Sequence, residues 1–98
     1  MLSQRLRKLR EMSGLPQRKV ASALDLDTAT YCKIENGMYI PKKSQVIELA
    51  NIFDVEEDEL LKLWMAARIQ VVADDDKLLA KDALKIVEEK LNKDTYEI

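Results

Sequence analysis

The sequence predicts an all-α protein of six helical segments, and three observations carry the all-α expectation. Helix formers dominate its 98 residues, while glycine and proline occur only twice each. Runs of β-branched residues are short. Hydrophobic residues make up 47% of the chain, enough at this length for one core but not for two.

Six helical segments follow in order. The first spans about Ser3 to Ser13, with Leu2, Leu6 and Leu9 on one stripe and Gly14 as the stop. The second opens near Pro16, a residue suited to a first turn, and buries Val20, Ala21 and Leu24. After the break "DLD", Asp27 is a good N-cap for a third helix that stops at Asn36-Gly37. The loop "MYIPKK" leads to Ser44, another candidate N-cap, and a fourth helix carrying Val46, Ile47, Leu49, Ala50 and Phe53. A fifth starts in the acidic "EEDE", where negative charge suits a helix N-terminus. "ADDD" at 73–76 breaks the chain again, and "KLLAKDALKIVEEKLNK" is the sixth, with the final "DTYEI" expected to fray. The sequence shows no internal repeat and no low-complexity tract.

Composition excludes several classes. One cysteine rules out an intramolecular disulfide, and the absence of histidine removes the usual general base and most zinc sites. "DDD" at 74–76 is more simply a partner of a helix dipole than a metal triad, since no Gly-rich calcium loop surrounds it. No enzymatic activity, cofactor or metal is expected. "MLSQRLRKLREMSG" has no continuous apolar core of a signal segment and no 18-residue apolar run occurs, so a soluble cytoplasmic protein without a membrane role is expected. The formal net charge of −2 hides an asymmetry: residues 1–43 hold nine Lys/Arg against four Asp/Glu, whereas 44–98 hold seven against fourteen. A basic first half and an acidic second half suggest one face for a polyanion and another turned away from it.

The stretch "DTATYCKIENG" at 27–37 is the most informative. At about 100° per residue, with Thr28 at zero, Cys32 falls near 40°, Asn36 near 80°, Ala29 near 100° and Lys33 near 140°. Tyr31 and Ile34 fall on the other side and can pack on the second helix. The opposite arc carries short side chains and one cation, so the backbone can approach a surface closely, and the major groove of B-DNA admits such a helix. Amphipathicity alone fits an ordinary packed helix equally well.

Two short helices joined by a three-residue turn form a helix-turn-helix layout. Here the sequence resembles the phage repressor/Cro-type (XRE family) helix-turn-helix transcriptional regulators. The resemblance covers roughly residues 4–61, through "RLRKLREMSGLPQRKVASAL", "DLDTATYCKIENG", Pro41 and "VIELANIFDVEEDELL". It implies a compact five-helix, lambda-repressor-like DNA-binding domain whose third helix reads DNA, leaving the sixth segment as an extra C-terminal helix. It assigns base contacts to Thr28, Ala29 and Lys33: methyl groups against thymine, and a lysine donating to guanine O6 and N7. None of the three is a bidentate Arg, Asn or Gln, so DNA shape is expected to supply much of the specificity.

The same resemblance places Gln17 at a phosphate, with Arg18 beside it, and Asn36 as both cap and phosphate contact. Lys42 and Lys43 follow in a loop over the DNA backbone, where they add salt-dependent attraction. Arg10 and Glu35 are implied to be a structural pair fixing the third helix against the first. Asp25 departs from the family's usual turn glycine, Pro16 from its Ser/Thr cap, and Asp27 from a residue that could touch DNA. Cys32 is read either as a redox-sensitive group or, more simply, as a passive small residue.

The expected domains are 1–68, the helix-turn-helix domain, and 69–98, a helical extension for dimerisation or buttressing. Leu61, Trp64, Ile69, Leu79, Ile86 and Leu91 supply more apolar surface than a five-helix domain needs. The extension either completes its own monomer's core or builds a homodimer matched to a palindromic operator. The expected function is that of a sequence-specific regulator of transcription binding double-stranded DNA. The small size favours an operon-level switch such as a restriction–modification controller; the alternatives are an antitoxin-type autorepressor or a protein-binding adapter that kept the fold. The sequence names no small-molecule effector.

Overall fold

A computed structural model describes residues 1–96 and shows an all-α protein, with no strand among the described residues. The helices are α1 (Leu2–Met12), α2 (Gln17–Ala23), α3 (Thr28–Glu35), α4 (Lys43–Ile52), α5 (Glu57–Ala73) and α6 (Lys77–Tyr96). The chain divides into two compact units, Met1–Ala67 and the segment from Arg68 onward.

The first unit holds the core. Leu2, Leu6 and Leu9 recur at three- and four-residue spacing, so α1 turns all three inward against Val20, Ala21, Leu24, Tyr31 and Ile34. Val46, Leu49, Ala50, Phe53 and Leu60 complete it from α4, the following turn and α5. Full burial of each larger aliphatic chain contributes about 1.5–3 kcal/mol before entropy is counted, which is why so short a set of helices holds together.

The helix ends explain the spacing of the elements. Pro16 is the N-cap of α2 rather than its first helical residue, and no side chain caps that end. Asp27 caps α3 by accepting the Thr30 N–H at 2.7 Å. Ser44 does not cap α4: the helix already begins at Lys43, with Lys42 as N-cap, and Gln45 Oε1 accepts the Lys42 N–H at 2.9 Å. The chain therefore turns helical at Lys43, two residues after the buried Pro41, and Ser44 already lies inside the helix.

Asp25 takes a left-handed conformation, with φ 60°, and Asp54 does the same at φ 53°. Both close a helix the same way. Leu26 N–H reaches back to the Ala21 carbonyl at 2.9 Å, and Val55 N–H to the Ala50 carbonyl at 3.0 Å. Each is the long bond of a Schellman-type cap, and the donor residue itself, Leu26 or Val55, packs against the core. One turn design thus joins α2 to α3 and α4 to α5.

In the second unit, Asp76 accepts the Leu79 N–H at 3.1 Å and so caps α6. The helix runs through Asp94 to Tyr96 instead of fraying from Asp94; Glu97 and Ile98 lie outside the described residues. Among the described residues no helix is long and apolar enough to cross a membrane.

Candidate nucleic-acid interface

The arc of α3 opposite Tyr31 and Ile34 is open. Thr28, Ala29 and Lys33 are exposed, Cys32 is partly buried, and Tyr31 and Ile34 are almost fully enclosed. The three residues expected to face DNA therefore share one accessible flank, with the Asp27 carboxylate committed to its cap at one end. Its hydrogen bonds from Thr30, together with the nearby Lys33 charge, lower the Asp27 pKa. The cap is thus charged at neutral pH.

Orientation of α3 is fixed from below by Glu35, a charged side chain buried in the core. Arg10 of α1 grips both of its oxygens, Nε to Oε2 at 2.6 Å and Nη2 to Oε1 at 3.1 Å, while Arg10 Nη1 donates to the Leu15 carbonyl at 2.9 Å. One guanidinium therefore ties α1, the loop before α2 and α3 together. Burial opposes charge on Glu35, but the hydrogen bonds from Arg10 and Gln17 outweigh it and hold the carboxyl below the ordinary glutamate range. The same bonds raise the Arg10 pKa. Tyr31 lies against this cluster, where burial, reinforced by Glu35, raises its pKa.

The expected phosphate-facing residues are placed unevenly. Arg18, Lys42 and Lys43 are exposed. The loop bearing the two lysines is anchored, because Pro41 is buried and its carbonyl accepts the Trp64 indole N–H at 2.8 Å. Gln17 is different: its side-chain amide turns inward and donates to Glu35 Oε1 at 3.1 Å, leaving the start of α2 to offer backbone N–H groups. Asn36 is the C-cap residue of α3, and its side-chain Oδ1 accepts from Arg7 Nη2 at 2.8 Å.

Arg7 is the residue sequence reasoning missed. It lies three positions before Arg10 on the same helix, a spacing that places both guanidiniums on one face, which was the available signal. Its Nε stands 3.7 Å from Glu35 Oε1.

The six apolar residues assigned to assembly separate into two groups. Leu61 and Trp64 are partly buried against the core of the first unit. Ile69 and Leu79 line an open groove of about 500 Å³ within the second unit, together with Val72, Leu84 and Val87. Ile86 and Leu91 are 68% and 61% exposed. Among the described residues no cluster of acidic or cysteine side chains could hold a metal ion.

No curated protein and no solved structure matches the chain significantly. The model of the helix-turn-helix domain family does match, over residues 3–63, which covers α1 to α4 and the first turns of α5. That match spans more than half the sequence and includes the turn and the open flank of α3, so the chain belongs to the helix-turn-helix domain family.

Proposed function

We propose that the protein is a transcriptional regulator of the phage repressor/Cro type, which seats α3 in the major groove and binds a palindromic site as a homodimer. The observation that carries this reading is the open flank of Thr28, Ala29 and Lys33, held rigidly by the Arg10–Glu35 pair beneath it. Short side chains let the helix approach closely; the Thr28 and Ala29 methyls meet thymine methyls, and Lys33 donates to guanine. Arg18, Asn36, Lys42, Lys43 and the backbone N–H groups at Gln17 fix the register on phosphates without reading sequence.

The homodimer rests on the second unit. Val72, Leu79, Ile86 and Val87 are each more than half exposed, an arrangement that costs solubility unless another apolar surface covers it. A second copy supplies that surface and repeats α3 about one helical turn, ~34 Å, along the duplex.

Binding to duplex DNA as a function of salt tests the reading. Affinity should fall steeply as salt rises. Lys33→Ala should flatten preference among sequences, whereas Lys43→Ala should weaken all sequences alike. Equal effects of the two variants on every duplex contradict base reading by α3.

A further inference from the structure

Arg7 and Arg10 surround a single buried carboxylate. Arg10, only 15% exposed, takes both oxygens of Glu35, so that charge is already neutralised before Arg7 is considered. Arg7 approaches the same group at a looser 3.7 Å and remains 48% exposed. The cluster therefore keeps one positive charge, and it resides on the accessible guanidinium. Asn36 holds that guanidinium in place through the 2.8 Å bond to Nη2, while its own amide nitrogen rests against Cys32 Sγ at 3.5 Å, a weak acceptor that is easily given up.

The position matters as much as the charge. Thr28, Cys32 and Asn36 form one row along α3 at four-residue spacing, and Arg7 extends that row at its C-terminal end. Eight residues of helix advance roughly 12 Å, about the width of the major groove. With Thr28 at base edges, the far end of the row lies at the phosphate strand bordering the groove.

We propose that Arg7 and Asn36 form a clamp for a DNA phosphate, with Asn36 positioning a guanidinium supplied by α1. This rests on the reading of α3 given above. Arg7 carries a sequence-independent contact, through donors that Asn36 and Glu35 leave open, and Asn36 turns its amide from Cys32 to the same phosphate oxygens.

The test uses the full-length protein and two 20-base-pair duplexes, one selected from a random pool by the wild type and one with its sequence scrambled. Arg7→Gln should weaken both by a similar factor, about tenfold at low salt, and reduce the salt slope by about one. Arg7→Lys keeps the slope but loses severalfold in affinity, because an ammonium cannot bond Asn36 and phosphate in a fixed fork. Asn36→Ala should weaken wild-type binding, and by a smaller factor in the Arg7→Gln background, where only its own amide contact remains to be lost. Should Arg7→Gln fail to fold by circular dichroism, the Arg7→Lys pattern decides alone, and wild-type affinity in that variant overturns the clamp. Salt-dependent wild-type binding with an unchanged slope in Arg7→Gln overturns the clamp and spares the function of α3. A wild type that binds neither duplex removes both.

Discussion

The helix–turn–helix corners α2–α3 and α4–α5 share one backbone conformation and carry opposite chemistry. Asp25 and Asp54 adopt the same left-handed conformation, and the residue after each reaches back to an alanine carbonyl five positions earlier. Beyond the turn the two part company. Thr28, Ala29 and Thr30 open α3, whereas Glu57, Asp58 and Glu59 open α5. The negative charges suit a helix N-terminus but repel phosphate. Turn geometry therefore makes a stable corner; on the proposed function, the side chains that follow it decide which corner reads DNA.

The two corners are also tied to α1 by different kinds of ion pair. Arg10 meets Glu35 with the carboxylate fully enclosed, while Arg5 meets Glu59 at 2.6 Å with side chains 33% and 40% exposed. A buried pair broken on one side leaves a charge without a partner, and a solvated pair does not. Glu35→Ala should therefore cost about 3–5 kcal/mol in denaturant unfolding. Glu59→Ala should cost less than about 1 kcal/mol. Similar losses in both would erase the distinction.

The pair also sets a pH dependence. The Glu35 pKa is lower in the folded protein than in the unfolded chain, so its contribution is complete above the ordinary glutamate range. It disappears as pH falls from about 4.5 through the folded value. Arg10→Met with Glu35→Leu should unfold with a shallower acid limb than the wild type.

The next effect concerns binding rather than stability. Giving α3 the charge of α5, through Thr28→Glu, Ala29→Asp and Lys33→Glu together, should weaken duplex binding by roughly 100-fold or more. All three positions are exposed, so thermal unfolding should move little. Loss of folding instead would mean that the flank serves the core.

The smallest expected effect tests the shared turn. Asp25→Gly and Asp54→Gly each relieve a left-handed non-glycine residue, and each should stabilise by about 0.5 kcal/mol with the same sign. Opposite signs in thermal unfolding would show that the two corners are not equivalent.

Much of this arrangement was readable from residue order. The stripe of Leu2, Leu6 and Leu9, the cap at Asp27 and the open arc of α3 follow from helical periodicity and N-cap chemistry, which are local. The Arg10–Glu35 pair came from family resemblance, since 25 residues separate its members. Gln17 shows where local reasoning ends: nothing near it in the chain says that its amide will turn toward a buried carboxylate instead of solvent. Arg7 shared a helix face with Arg10, but its partner Asn36 lies 29 positions away, so the spacing alone did not say what it meets. The second corner was concealed because its repeat consists of a backbone conformation and an Ala-x-x-apolar-Asp-apolar pattern too short to register as a repeat.

Site selection from a random duplex library, run in parallel with wild type and Lys33→Ala, tests base reading by α3 most directly. The wild type should return a palindromic consensus, and Lys33→Ala should lose preference at one symmetric pair of positions while keeping the rest. No consensus from the wild type, or an identical consensus from both proteins, would contradict it.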